Sequence, residues 1–240
     1  VDTNSFFIQD AVTLGDVTIT PSMRYDHVRN RGEANDAPYY SNPDPAVGHD
    51  YSDRTYTGWS PRLAAYWTIT PNVAMFANWS RTWRAPVIDE QYEVQGLGSR
   101  TATSLDLDPE RITSITLGNV TSFADVITHG DNLQVRTTLF HNKVEDEIFK
   151  ATGVGCQNQA VNGGTISSAC PPGAMSNYRN IGGMTIKGFE AESFYDSNYV
   201  FGSVSFAYTT GKHEGAYTNP WGPDVWARDI PPTKWVIVLG

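Results

Sequence analysis

Residues 59–84 read WSPRLAAYWTITPNVAMFANWSRTWR, two runs of period two joined at Thr70-Pro71-Asn72. In the first run Leu63, Ala65, Trp67 and Ile69 share one parity, opposite Arg62 and Thr68. In the second Val73, Met75, Ala77 and Trp79 oppose Asn78, Ser80 and Thr82. Successive side chains of a strand point to opposite faces, so each run carries one apolar and one polar face. The Pro-Asn step between them is a turn signal, and the pair reads as an antiparallel hairpin.

The same plan extends in both directions. Upstream, 4–14 is strand-like and stops at Gly15-Asp16, and 17–28 alternates Val17, Ile19, Pro21, Met23 and Tyr25 against Thr18, Thr20, Ser22, Arg24 and Asp26. Downstream, strands are expected over 111–123, 132–149, 178–195, 199–210 and 234–239, with turns near 125–131 and 196–198. Long polar stretches fall on the other side, at 30–55, 86–107, 150–177 and 211–232. Short turns on one side, long loops on the other, and Trp and Tyr near strand ends fit a membrane β-barrel better than a soluble sandwich. The fold class expected is all-β: about nine long strands of a larger transmembrane antiparallel barrel. The last run, Val236-Ile237-Val238-Leu239-Gly240, lacks the closing aromatic of outer-membrane strands, so the chain is read as part of a barrel.

Composition narrows the function. The 240 residues are 40% hydrophobic and 12% aromatic with a net charge of −9, which argues against a nucleic-acid surface. No apolar run is long enough for a spanning helix, which leaves strands as the membrane-crossing element. No nucleophile elbow, phosphate-cradling glycine loop or His/Cys metal spacing occurs, so an enzyme is not expected. Cys156 and Cys170 lie in one Gly/Asn/Ser-rich loop; a disulfide between them belongs to an oxidising compartment, and two free thiols are the alternative.

Six acidic residues, Asp89, Glu90, Glu93, Asp106, Asp108 and Glu110, surround the 86–107 loop, either as a docking surface for a basic partner or cationic cargo groups, or as charge for solubility and lipopolysaccharide-linked calcium. Arg24, Arg62 and Arg136 with Glu190 and Glu192 share the polar parity and predict a charged lumen wall. Of the histidines, His129 falls in a predicted turn, His141 shares parity with Leu139, and His27, His49 and His213 fall at the loop side, where a solvated role is the common one.

Several stretches together resemble the TonB-dependent outer-membrane receptor family: FFIQDAVTLGDVTITPSMRYDHVRN, WSPRLAAYWTITPNVAMFANWSRTWRAPVIDEQY, LDLDPERITSITLGN, TIKGFEAESFYDS and IPPTKWVIVLG. Within it, Trp83-Arg84-Ala85-Pro86 resembles the FRAP box and Leu105-Asp106-Leu107-Asp108-Pro109-Glu110 the NPNL box, which bracket an extracellular loop in haem receptors. The wording from Val87 to Tyr92 is most similar to haemophore-type haem receptors. The resemblance implies a barrel of about 22 strands in the outer membrane of a Gram-negative bacterium, with the plug domain absent from this chain. It implies haem as transported cargo, haem or a haem-carrying protein and outer-membrane lipid as partners, and the TonB complex acting through parts not in this chain. Cargo or partner contacts are then expected at Trp83, Arg84, Pro86, Asp89, Glu90, Tyr92, Glu93 and Arg100. In that subfamily a histidine of this loop is one axial haem ligand and the plug brings a second; no histidine lies between Pro86 and Leu105, so Tyr92 is the candidate iron ligand. A packing aromatic is the commoner fate of such a tyrosine. A ferric-siderophore receptor, with Tyr39, Tyr40, Tyr92, Tyr217 and Trp221 lining its pocket, is the alternative. A passive diffusion barrel or adhesion protein is the third.

Overall fold

The computed structural model describes residues 1–32, 51–92, 103–151, 177–180, 182–214 and 230–240. One antiparallel sheet dominates it. β1 (Asp2–Gln9), β3 (Val17–Asn30), β4 (Arg54–Thr70), β5 (Val73–Arg84), β6 (Glu110–Ala124), β7 (Asn132–Glu145), β10 (Gly183–Asp196), β11 (Phe201–Glu214) and β12 (Lys234–Leu239) pair in that order. β2 (Val12–Leu14) adds to β3, while β8 (Ile148–Ala151) and β9 (Asn177–Asn180) form a separate ribbon. The seven strands from β3 to β11 in that path run 12 to 17 residues. A tilted strand crosses a bilayer in about 9–11 residues, so each can span one and emerge beyond it.

Register confirms the two faces. One row runs Ile19, Ala65, Ala77, Leu117, Leu139, Phe189, Tyr208, and the row beside it runs Thr20, Ala64, Asn78, Thr116, Phe140, Gly188, Thr209. The first face leaves Trp67, Leu117, Leu139 and Trp235 about half exposed or more, at 48%, 50%, 57% and 65%. Only Ala74, Pro86, Leu107, Val144 and Ile148 are buried apolar side chains among those described. A face this apolar is untenable in water and natural against hydrocarbon. On the polar face Arg136 pairs with Glu192 and lies over the Phe76 ring at 5.2 Å, and Arg62 donates to Asn78 at 2.7 Å. Arg24 pairs with Asp26 at 2.8 Å. Arg24, Arg62, Arg136, Glu190 and Glu192 share this face, as the parity predicts.

Three strand expectations need correction. Residues 4–14 form two strands in one continuous register on β3, interrupted opposite Pro21, which has no N–H to give. The run expected over 132–149 breaks at Asp146, whose φ of 57° leaves the extended region, and the chain restarts as β8. The run over 178–195 breaks at Gly182, φ 126°, which separates β9 from β10.

The turn end is stapled by one carboxylate. Asp131, 2% exposed, accepts from the amides of Val126, Ile127 and Thr128 at 2.6–2.8 Å and from the Tyr195 hydroxyl at 2.8 Å. Burial pushes this carboxyl upward, but the donors outweigh it and hold its pKa well below the ordinary carboxylate value. The folded pKa being depressed, its stabilisation is full above the unfolded value of about 4 and lost as pH falls through the folded one. Asp131→Asn is expected to lower the barrel's heat-modifiability midpoint at pH 7, and the gap between the two proteins is expected to close in strong acid; gel shift after graded heating measures both.

Candidate functional site

At the loop end the 86–107 segment is folded against the strands rather than standing clear. Pro86 sits where a helix may begin but not continue, and α1 (Ile88–Tyr92) makes a little over one turn, with Asp89 and Glu90 in its first turn, where the helix dipole favours negative charge. The underside of α1 is Gln91, fully buried. Its carbonyl side-chain oxygen accepts from the amide of Asn30, the last residue of β3, and its Nε2 donates to the Tyr56 hydroxyl at 2.6 Å. Asn30, 1% exposed, also donates to the Pro86 carbonyl at 2.7 Å. Burial raises the Tyr56 phenol above the usual tyrosine range, so it serves here as a neutral hydroxyl.

Arg84 fastens the second side. Its guanidinium grips Glu90 through two nitrogens at 2.8 and 3.0 Å and Glu110 through Nε at 2.7 Å. Glu90 accepts the Val87 amide at 2.9 Å as well, and Glu110 takes the Ile148 amide of β8 at 2.7 Å. Burial disfavours the charge on Arg84, but the two carboxylates outweigh it and raise its pKa further. The FRAP-like arginine and the NPNL-like glutamate are thus one clamp, with α1 held between them. The six-residue acidic cluster divides accordingly: Glu90 and Glu110 turn inward on Arg84, whereas Asp89, Asp106 and Asp108 are exposed.

The neck of the loop is closed where the Ser104 amide donates to the Gln91 carbonyl at 2.7 Å. Ser104 Oγ accepts the Tyr178 amide, Arg54 donates to the Leu105 carbonyl, and Asn180 bonds both the amide and the carbonyl of Asp108. Tyr92 lies half-buried, donates its hydroxyl to the Ser52 carbonyl at 2.8 Å and stacks on Tyr51 with centroids 6.3 Å apart. Gly32 makes room, since a Cβ there would come within 2.5 Å of both the Tyr51 carbonyl and the Tyr92 ring.

Trp83 is separate from this cradle. The β4–β5 ladder stops at Arg62–Ser80, beside Pro61, and the Trp83 indole fills the gap, where a Cβ on Gly58 would fall on its ring. Its Nε1 is buried with no hydrogen-bond partner. Among the histidines, His213 is on β11 rather than in a loop, on the polar face, its Nδ1 2.9 Å from Glu147. His141 is exposed on the apolar face, His27 lies half-buried on β3, and His129 is open at a turn. Glu93, Arg100, His49, Cys156, Cys170, Tyr39, Tyr40, Tyr217 and Trp221 lie outside the described residues. No group of three or more metal-binding side chains occurs among the described ones.

The arrangement is a hydrogen-bonded base at the loop end of the strands, closed where Gln91 meets Ser104. Its described contacts hold α1 against the strand ends. Solved structures share the fold. A double mutant of the Serratia marcescens haemophore receptor HasR, in complex with its haemophore HasA and heme, aligns with 88% of this chain and 34% of its own at TM-score 0.66 and 20% identity. The copper transporter OprC aligns with 99% of this chain and 32% of its own at TM-score 0.67 and 17% identity. The TonB-dependent heme receptor A of Haemophilus ducreyi (strain 35000HP / ATCC 700724) is 43% identical over 242 residues, covering 99% of this chain and 32% of that protein. The hemin receptor of Yersinia enterocolitica is 26% identical over 230 residues, covering 90% of this chain and 30% of that protein. The chain spans about a third of the length of the curated relatives it matches. The family model for the TonB dependent receptor-like β-barrel matches residues 1–240, and the chain belongs to that family.

Proposed function

We propose that this chain forms barrel wall and loop base of a receptor that takes up haem, free or delivered by a carrier protein, with energy supplied through TonB. The protein resides in the outer membrane of a Gram-negative cell, with the loop end outward. The observation that carries the reading is the 43% identity to a TonB-dependent heme receptor, which runs through 99% of the chain. The role proposed for the described residues is positional. Arg84, Glu90 and Pro86 fix α1, exposed Asp89 faces the cargo or its carrier, and Glu93 and Arg100 act from the tip. Trp83 seals the wall beneath them. Cys156 and Cys170 are proposed to close the neighbouring loop as a disulfide. TonB acts through segments outside these 240 residues.

Tyr92 is proposed as a strut of the loop, since its hydroxyl donates to the Ser52 carbonyl. The test is a haem titration of the full-length receptor in detergent, followed by visible absorption beside a Tyr92→Phe variant. A saturable Soret band at the same wavelength in both proteins is the expected result. A band shifted in the variant would make Tyr92 an iron ligand instead. No saturable band, with or without a haem-carrying protein, would overturn haem and favour ferric siderophores.

A further inference from the structure

β7 and β10 pair up to Glu145–Gly183, and there both chains bend. Asp146 and Gly182, the next residues, leave the extended region at φ 57° and 126°. Past this double bend, β8 and β9 pair from Ile148–Asn180 to Ala151–Asn177. The bend brings the ribbon onto the 104–110 segment, where Asn180 meets Asp108 from 72 positions away. Asn180 makes that tie with its whole side chain. Its Oδ1 accepts the Asp108 amide at 2.9 Å, and its Nδ2 donates to the Asp108 carbonyl at 2.9 Å and the Asp146 carbonyl at 2.7 Å. A side-chain amide carries the donor and acceptor of a peptide group, so Asn180 supplies a ladder rung between the ribbon and the neck of the loop. Its second N–H fastens that rung to the bend. Two further bonds flank it: Ser104 Oγ takes the Tyr178 amide at 2.8 Å, and Glu110 takes the Ile148 amide at 2.7 Å.

Burial follows the same junction. Of the five buried apolar side chains among the described residues, four lie at this end: Pro86 before α1, Leu107 in the neck, Val144 at the end of β7 and Ile148 in β8. Gln91, Ser104 and Glu110 are buried with them, each engaged in a bond that joins two segments. The loop end therefore has a small core of its own, while the wall below turns its apolar side chains outward. We propose that α1, residues 104–110 and the β8–β9 ribbon order and unfold as one cooperative unit, with Asn180 the positioning residue that couples the ribbon to α1 and so sets affinity for the cargo. The cargo part rests on the uptake reading above, through Asp89 on α1; the coupling rests on the geometry alone.

The experiment compares the full-length receptor in detergent with its Asn180→Ala and Ser104→Ala variants, by amide exchange and by haem titration. The Asn180 side chain bonds Asp108 and Asp146, not α1. Exchange over 88–92 is nevertheless expected to rise roughly tenfold in Asn180→Ala, together with 104–108 and 148–151. Ser104→Ala leaves the Ser104 amide on the Gln91 carbonyl and removes only the tie to Tyr178. It is expected to raise exchange at 148–151 by a similar factor, because coupling between two parts is reciprocal. Haem affinity is expected to fall about threefold or more in both. Exchange over 73–79 and 115–121 stays unchanged, and heat-modifiability on gels shows the barrel intact. Raised exchange confined to 104–108 and 177–180, with 88–92 unmoved, overturns the unit. Raised exchange at 88–92 with full haem affinity overturns the positioning role. A wild type without a saturable Soret band sinks the uptake reading by itself, and exchange at 88–92 in Asn180→Ala still decides the coupling. Should that variant fail to fold, Asn180→Asp, which keeps the acceptor for the Asp108 amide and loses both donors, is read the same way.

Discussion

Arg84→Ala in the full-length receptor is expected to weaken haem binding by up to about 30-fold while leaving the barrel folded. Arg84 neutralises two carboxylates whose side chains are only 15% and 11% exposed, and its removal leaves both facing each other without a counter-charge. Breaking a fully buried pair costs about 3–5 kcal/mol; Arg84 is itself 37% exposed, so about 2 kcal/mol is the appropriate figure here. That energy holds α1 down, and 2 kcal/mol is about 30-fold in affinity when cargo recognises the docked loop. Amide exchange over 86–92 is expected to rise in the variant, with exchange in β6 and β7 unchanged. Arg84→Lys is expected to fall between the two, because one ammonium cannot grip Glu90 through two nitrogens and also reach Glu110 in the fork geometry. Normal affinity together with raised exchange would separate the loop's anchoring from cargo recognition and refute the positional role.

How much of this was legible in the sequence follows from the range of each signal. Period two is local, so the strands around Trp67, Trp79 and Leu117 and their apolar face could be read directly, and the register agrees with that reading. Breaks governed by one residue were harder. Asp146 and Gly182 interrupt runs whose parity otherwise continues, and Pro21 interrupts only the hydrogen bonding of a neighbouring strand. The site was legible as a place but not as a mechanism. Arg84, Glu90 and Glu110 stood out as charged residues near two boxes, yet nothing local says that two of six acids turn inward on one arginine. Asn30 and Gln91 gave no signal. They are 61 positions apart, neither is charged, and an Asn ending a strand before a polar loop reads as a turn residue. His213 misled for the complementary reason, since the Gly211 beside it suggested a loop where the strand in fact continues to Glu214.

Those silent residues yield the strongest test of the cradle. Asn30→Asp is nearly isosteric, and it replaces an amide that donates to two acceptors, the Pro86 carbonyl and the Gln91 side-chain oxygen. An ionised carboxylate at this 1%-exposed position would face two oxygens with no proton to offer. Protonated, it can satisfy one of them. The folded pKa of the new carboxyl is therefore raised above its unfolded value of about 4. A raised carboxyl pKa makes the folded state prefer the protonated form. The variant is least perturbed below the unfolded value, and its loss grows as pH rises until the folded pKa is passed. At pH 8 a cost of about 3 kcal/mol is expected, the scale of a buried group left unsatisfied together with an uncompensated charge. Exchange at 86–92 should then exceed that of Arg84→Ala at pH 8 and drop well below it at pH 5. Gln91→Leu, which strands the same Asn30 amide without adding a charge, should show the loss with no pH dependence. A pH-independent Asn30→Asp would mean that the amide contacts of Asn30 do not hold the loop, and that the Arg84 clamp alone does.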